Sequence, residues 1–301
     1  MKRYLLNIFL FFAIVLAIDV AVGSLGDYLQ THAVGGDTKR INDLVNNDKH
    51  DIIIMGSSRA HRHYDTPYLS DTLGLDVYNA GYDGNGCVLA YGLLSMILER
   101  YQPKLVLFDV EPCFDFIEYK PDNHHVRYIG YLKPYFRNDV VGDIIRDVSL
   151  EEWYKVHSGL IRYNSKLIPL SIDNFRYSYD ENRGYEPLIG VMEDEVWDTQ
   201  AEPVKIDSFK LQYMEKMLLL AKNNNIPFAV VASPKYSMKN SDSLAPVKEL
   251  CEKYSIPFID YYAETEFMHH RDWFREQMHL NQKGAKAFSS LIAREISNIV
   301  N

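Results

Sequence analysis

A serine pair follows a short, strongly apolar run near residue 50. Residues 51–55 read Asp-Ile-Ile-Ile-Met, and residues 56–60 read Gly-Ser-Ser-Arg-Ala. A β-branched run of this kind predicts a buried strand of a parallel sheet. A turn from such a strand into a helix can expose the hydroxyl of Ser58 beside backbone N–H donors, which suits a nucleophile. Taken alone, Gly-Ser-Ser favours the plainer interpretation of a small-residue turn with a serine N-cap.

A glycine-rich stretch follows the second predicted strand. Residues 78–86 read Tyr-Asn-Ala-Gly-Tyr-Asp-Gly-Asn-Gly. Glycines in such a loop allow a backbone N–H to approach a substrate oxyanion without a side chain in the way. An ordinary glycine-rich turn fits the stretch equally well when it is considered by itself.

An acidic residue and a histidine lie close together near the carboxyl end. Residues 276–284 read Glu-Gln-Met-His-Leu-Asn-Gln-Lys-Gly. A histidine in a loop at the edge of a sheet can act as a general base while a nearby carboxylate fixes its tautomer. The motif is common by chance, so it gains weight only from its combination with the serine and glycine stretches.

Together and in this order, the three stretches resemble the nucleophile, glycine and Asp-x-x-His blocks of the SGNH/GDSL hydrolase superfamily. The resemblance covers roughly residues 51–110 and 226–299. It is closest to membrane-anchored extracytoplasmic members, namely the D-alanyl transfer protein of teichoic acid modification and the alginate acetylation proteins. The resemblance implies that Ser58 is the nucleophile and His279 the general base. It also implies an oxyanion hole formed by the backbone N–H groups of Ser58 and Gly81, with Ser57 in a structural role.

Two positions depart from the pattern of that superfamily. Glu276 stands where aspartate is usual, so Asp272 is an alternative acid and a Ser–His dyad also remains open. Residues 109–112 read Asp-Val-Glu-Pro where the superfamily has Gly-x-Asn-Asp. The oxyanion hole would therefore lack one donor or take it from Asn79 or Asn85, and losing one such donor typically costs about 10²–10³ in rate.

The elements that must position these residues alternate between strands and helices. Strands are predicted at 51–55, 75–78, 104–109, 227–232 and 257–260, and helices at 88–101, 209–222, 244–254 and 282–299. Asn281 is the predicted N-cap of the last helix. The alternation predicts a doubly wound, three-layer α/β/α sandwich with a five-stranded parallel sheet, which is the flavodoxin-like arrangement of the SGNH fold.

Residues 1–23 are predicted to form a membrane anchor. The apolar run 4–23 follows Lys2 and Arg3 and just reaches the roughly 20 residues that cross a bilayer. The positive charges predict that this end stays in the cytoplasm and that the bulk of the chain is exported. A cleaved signal peptide is the alternative, although no clean A-x-A cleavage site stands out.

The remainder of the chain is predicted to form a neck and one α/β domain. Residues 24–50 would be a short helical neck, and residues 51–301 would be the SGNH-like domain. The aromatic-rich stretch at about 112–200 interrupts the strand–helix alternation. Since a structureless loop of that length is implausible in a compact domain, the stretch is predicted to be an inserted cap beside the carboxyl ends of the strands.

Composition excludes some classes of function. The net charge of −9 argues against nucleic acid as a partner, because no basic surplus could neutralise phosphates. Three scattered cysteines are too few for a disulfide framework or a zinc site. His61 and His63 are interpreted as solvated surface and Arg59 as part of a surface salt bridge. No metal or organic cofactor is predicted.

The sequence therefore predicts an extracytoplasmic serine esterase or O-acyltransferase, held at the cytoplasmic membrane by one amino-terminal helix. Its partners would be the membrane and an acylated carbohydrate or other ester substrate. The superfamily context implies a small acyl ester, such as O-acetyl, on an envelope or exported polysaccharide. The alternative is a catalytically inactive envelope protein of the same fold that binds glycan or scaffolds an assembly.

Overall fold

The computed structural model describes residues 1–118, 125–178, 180–193, 205–236, 238 and 240–300. The chain divides into two compact units. Unit 1 consists of Met1–Asn47 and His124–Tyr179, and unit 2 consists of Asp48–Asn123 and Asp180–Asn301.

The described elements are as follows in chain order. The α-helices are α1 (Lys2–Thr31), α2 (Gly36–Asn42), α3 (Ser58–His63), α4 (Thr66–Leu73), α5 (Cys87–Leu98), α6 (Pro112–Asp115), α7 (Asp139–Val148), α8 (Leu150–Lys155), α9 (Gly159–Arg162), α10 (Leu167–Phe175), α11 (Ser208–Asn223), α12 (Ala245–Tyr254), α13 (Thr265–Met268) and α14 (Gln282–Val300). The strands are β1 (Ile52–Gly56), β2 (Val77–Gly81), β3 (Leu105–Asp109), β4 (Phe228–Ala232), β5 (Phe258–Asp260), β6 (Phe274–Glu276) and β7 (His279–Leu280). A π-helical turn covers Asp43–Asn47, and 3₁₀ turns cover Val126–Ile129, Lys133–Tyr135, Asp242–Leu244 and Arg271–Trp273.

Unit 2 is built on a five-stranded sheet with the order β2-β1-β3-β4-β5. All neighbouring strands in this sheet are parallel. Every residue of β1, β2, β3 and β4 is buried. Burial on both faces explains why β1, β3 and β4 read as nearly continuous apolar runs rather than as alternating ones. The predicted fold class, with its five-stranded parallel sheet, is confirmed.

Helices flank this sheet. On one side, Phe288 and Ile292 of α14 share a core cluster with Ile54 of β1 and Leu107 of β3. Helices α5 and α11 pack against each other and contact β1 and β4, respectively. Because the chain runs from β1 outward to β2 and then returns across β1 to β3, the carboxyl ends of the central strands bound the crevice where open α/β sheets place ligands.

The second strand differs from its predicted position. Strand β2 runs from Val77 to Gly81 rather than over 75–78, and its register pairs Asn79 with Ile54 and Gly81 with Gly56. Tertiary pairing with β1 overrides the weak strand propensity of asparagine and glycine. Gly81 is consequently the last residue of a buried strand, whereas the sequence had indicated a loop at this position.

The predicted anchor and the predicted 112–200 insertion have different bounds in the structure. Helix α1 continues past residue 23 without a break and ends at Thr31. Within the predicted 112–200 insertion, residues 124–179 group with the amino-terminal residues in unit 1, while 180–193 belong to unit 2. Its function as a cap stays a prediction.

Candidate active site

The candidate nucleophile lies at the tight turn between β1 and α3. Gly56 ends β1 with φ +141°, and a Cβ there would approach the backbone oxygen of Asp109 to 2.5 Å. Only glycine fits this conformation and this contact. Ser57 is the N-cap of α3, since its side chain accepts a hydrogen bond from the Arg59 N–H. Ser58 is therefore presented as the first residue of α3.

The candidate base comes from a small hairpin near the carboxyl end. Strands β6 and β7 are antiparallel, and their register places Glu276 opposite His279. The His279 Nε2 atom lies 2.7 Å from the Ser58 Oγ atom. The His279 Nδ1 atom contacts Glu276 Oε1, while Glu276 Oε2 accepts a hydrogen bond of 2.7 Å from the Met278 N–H. The structure thus brings Ser58, His279 and Glu276 into one hydrogen-bonded chain.

The electrostatics of this chain suit proton transfer. Burial alone would raise the pKa of Glu276, but hydrogen bonds from the His279 ring and the backbone N–H groups of Met278 and His279 hold it below its usual value. An ionised Glu276 accepts the Nδ1 proton and leaves the Nε2 lone pair of His279 facing the hydroxyl. This arrangement can remove the Ser58 proton as the oxygen attacks an electrophile.

The alternative acid occupies a different place. Asp272 forms an ion pair with Lys283 and lies 3.5 Å from His270. The carboxylate that contacts His279 is that of Glu276. The extra methylene of glutamate is accommodated because the hairpin sets Glu276 directly across from the imidazole.

The predicted oxyanion donors are arranged differently from the expectation. The Gly81 N–H donates to Asn79 Oδ1 at 2.9 Å, and Asn79 Nδ2 donates to the Ala60 oxygen at 2.7 Å. A Cβ on Gly81 would lie 2.5 Å from the His61 nitrogen, so this glycine allows β2 to pack closely against α3. The side chain of Asn85 donates to the Asp83 oxygen at 3.0 Å. All three groups are thus engaged in local structure.

A second glycine of the same stretch was missed by the sequence reasoning. Gly84 has φ +68° in a turn closed by the Asn85 N–H, which donates to the Tyr82 oxygen at 3.1 Å. The Ser58 N–H and the Gly84 N–H each donate to no acceptor among the described residues. Gly81 and Gly84 have the spacing Gly-x-x-Gly. If β2 had been known to end at Gly81, this spacing could have indicated Gly84 as the glycine of the loop that follows.

A buried ion pair lies next to the nucleophile. Arg59 is fully buried and bonds Glu111 at 2.7 Å and Ser233 Oγ at 2.9 Å. The interpretation of Arg59 as a surface residue is therefore wrong. Its counter-charge is provided by a glutamate that lies 52 positions away in the sequence. Asp109 is also fully buried, and burial raises the pKa of its carboxyl despite the opposing charge of Arg59. The segment that lacks the expected asparagine thus supplies a carboxylate that pairs with Arg59.

His63 connects the nucleophile helix to the hairpin. It is fully buried, its Nδ1 atom lies 2.9 Å from Ser233 Oγ, and its Nε2 atom accepts the Leu280 N–H at 3.0 Å. Burial, together with the charges of Arg59 and His279, lowers the pKa of His63 well below its usual value. A neutral His63 therefore fixes the backbone beside His279. His61 is also buried, against Asp83 at 2.9 Å, so the expectation of solvated surface fails for both histidines.

Within the described residues, no group of three or more histidine, cysteine, aspartate or glutamate side chains is placed to hold a metal ion. The described chain contains one helix, α1, that is long and apolar enough to cross a membrane, with a mean hydropathy of 2.7 over its best window.

Comparisons with known proteins give distant structural similarity. No protein-family profile matches the chain, and neither does any curated protein. Among solved structures, a lipolytic protein of the G-D-S-L family from Desulfitobacterium hafniense DCB-2 is 12% identical over 82% of this chain and 99% of its own, with a TM-score of 0.40. The acetyl xylan esterase AlAXEase is 11% identical over 83% of this chain and 100% of its own, also with a TM-score of 0.40.

Proposed function

We propose that this protein is a membrane-anchored serine esterase or O-acyltransferase. The observation that carries the proposal is the hydrogen-bonded chain from the Ser58 hydroxyl through His279 to Glu276, with 2.7 Å between Ser58 Oγ and His279 Nε2. That order of hydroxyl, imidazole and carboxylate is the arrangement that activates serine for acyl transfer on several unrelated folds. The resemblance to the SGNH/GDSL superfamily supports the same assignment of residues.

The proposed reaction proceeds in two steps. His279 Nε2 takes the Ser58 proton as Oγ bonds to the ester carbonyl carbon, and the N–H groups of Ser58 and Gly84 stabilise the resulting oxyanion. The carbon–oxygen bond to the alcohol then breaks, and the alcohol leaves with the proton from His279. Water or a sugar hydroxyl next attacks the acyl-serine, giving its proton to His279, which returns it to Ser58. The same residues would serve hydrolysis and transfer.

The substrate would be a small acyl ester, such as an O-acetyl group, on an envelope or exported polysaccharide outside the cytoplasmic membrane. Lys2 and Arg3 precede the apolar helix and favour retention of that end in the cytoplasm. Contacts within unit 1 favour an anchor over a cleaved signal peptide, because Asp19 of α1 accepts hydrogen bonds from Gly159 and Leu160. Cleavage after residue 23 would remove them.

Covalent labelling tests the proposal. A fluorophosphonate probe should label the full chain, and Ser58→Ala should abolish labelling. Ser57→Ala is the matched control, because Ser57 is the adjacent serine but caps α3, so this variant should lose about 1 kcal/mol of stability and keep its labelling. A wild-type protein that stays unlabelled alongside a reactive esterase would contradict the proposal and favour the inactive glycan-binding or scaffolding alternative.

A further inference from the structure

Unit 1 contains a second apolar surface beside the proposed anchor. Helix α9 is a single turn, Gly159–Arg162, that follows the N-cap Ser158. Its side chains Leu160 and Ile161 are 38% and 51% exposed. Exposed apolar residues are ordinary when scattered, so the position of these two relative to α1 determines whether they have a function.

Helix α9 begins directly against α1. The Cα of Gly23 would lie 2.5 Å from a Cβ on Gly159, so the two backbones touch. Asp19 of α1 accepts hydrogen bonds from the Gly159 N–H at 3.1 Å and the Leu160 N–H at 2.9 Å, and it also contacts the Ser158 hydroxyl. The start of α9 is therefore fixed at the level of residues 19–23 of α1.

The length of α1 relates this level to the bilayer. At about 1.5 Å per residue, the apolar run 4–23 spans roughly 30 Å, the thickness of the hydrocarbon core. Asp19 then lies about 6 Å inside the outer end of that run. A carboxylate at this depth is costly unless it is paired or hydrogen-bonded, and the three donors from residues 158–160 satisfy it. The donors must therefore reach the same depth as the carboxylate.

Cationic groups lie at the next level outward. Asp27 of α1, about 6 Å beyond Gly23 along the helix, pairs with Arg162 at 2.9 Å and with Arg137 at 3.3 Å. The side chain of Arg137 is 65% exposed. The exposed guanidinium of Arg137 is therefore a cation at the height of the lipid phosphates, where it can contact anionic headgroups.

We infer that α9 lies in the interfacial layer of the bilayer, with Leu160 and Ile161 in contact with lipid, so that unit 1 holds the membrane at a second point beside the anchor. The inference rests on the proposed membrane anchoring by α1 and is independent of the proposed catalysis. Apolar side chains at the boundary of headgroups and acyl chains are typical of segments that lie on a membrane rather than across it.

Nitroxide labels at single cysteines test this inference in the full chain reconstituted into vesicles of phosphatidylcholine and phosphatidylglycerol. Labels would be placed at Leu160→Cys, Ile161→Cys, Phe175→Cys and Phe12→Cys, with the half-buried native Cys113 replaced by serine. Phe175 is the matched control, because it is an apolar residue of unit 1 that is 89% exposed. Its neighbour Asn174 bonds the Leu29 oxygen at 2.7 Å, about 9 Å beyond Gly23 along α1.

The expected result is that collisions with oxygen dominate at residues 160 and 161, as at 12, whereas collisions with a water-soluble nickel chelate dominate at 175. The ratio of the two collision rates should differ severalfold between 161 and 175. If 160 and 161 behave like 175 while 12 remains in lipid, the inference is overturned and the anchor stands. Shielding of 160 and 161 from both reagents would indicate a protein contact and would overturn it as well. A water-accessible label at 12 would overturn the anchor and the inference together.

Discussion

Replacement of Glu276 by glutamine is the most direct test of the hydrogen-bonded chain. Oε1 of Glu276 accepts a hydrogen bond from the His279 ring, and Oε2 accepts one from the Met278 N–H. An amide has one acceptor oxygen, so its NH₂ group must face either the Met278 N–H or the ring. Facing the ring, it would impose the tautomer that carries its proton on Nε2, and such an imidazole cannot accept the Ser58 proton. If the NH₂ group faced Met278, two hydrogen-bond donors, the NH₂ group and the Met278 N–H, would point at each other, and their repulsion would displace the hairpin.

The rate of fluorophosphonate labelling should therefore fall by about 10²–10⁴ in Glu276→Gln, which corresponds to ~3–5 kcal/mol of transition-state stabilisation. Asp272→Asn is the matched control, because it makes the same chemical change in a carboxylate that pairs with Lys283 instead of His279. Its labelling rate should stay within about twofold of the wild type, as surface ion pairs contribute little. Labelling of Glu276→Gln at the wild-type rate, or labelling of Asp272→Asn as slow as that of Glu276→Gln, would refute the role of Glu276 in fixing the His279 tautomer.

Buried groups around the candidate nucleophile should also respond to substitution. His63→Leu removes the acceptor for the Leu280 N–H and should slow fluorophosphonate labelling about 10²-fold, because His279 would be misplaced. His63→Gln should recover part of this rate. Equal labelling rates for the two variants would contradict a positioning role for His63. Glu111→Ala leaves Arg59 buried without its carboxylate. The free energy of unfolding should fall by about 3–5 kcal/mol, or roughly 6–20 °C in Tm by scanning fluorimetry, with a smaller loss in Glu111→Gln. An unchanged Tm in Glu111→Ala would argue against the ion pair. Burial raises the pKa of Asp115 to about 8, so the stability from its protonated form should be complete below about pH 4 and lost as the pH rises through 8. The difference in Tm between wild type and Asp115→Asn should therefore shrink between about pH 4 and pH 8. A difference that stayed constant over this range would refute the raised pKa of Asp115.

The sequence was sufficient to predict a five-stranded parallel sheet and the meeting of Ser58 with His279, while it left the acid open between Glu276 and Asp272. Four of the strands are apolar runs bounded by polar residues or glycine, and this pattern depends on local sequence and burial alone. Ser58 and His279 each stand where a predicted element begins or ends. The carboxyl ends of parallel strands share one edge of a sheet, so residues 221 positions apart could be expected to meet.

The environment of Arg59 could not be predicted in the same way. Its burial depends on Glu111, 52 positions away, and on Ser233, 174 positions away. Neither partner has a local signal, and a charged residue is almost never fully buried unless it is paired. The position of Gly81 was missed for a related reason, since only pairing with β1 extends β2 over Asn79 and Gly81.

The Arg59–Glu111 pair restricts how this protein can change over evolutionary time. A single substitution to asparagine at position 111 would leave the fully buried guanidinium of Arg59 without its carboxylate. Because residues in one ion pair show non-additive effects on stability, positions 59 and 111 must be exchanged together or in an order that passes through a neutral partner. A change that preserves the stability of this protein therefore involves both positions rather than either one alone.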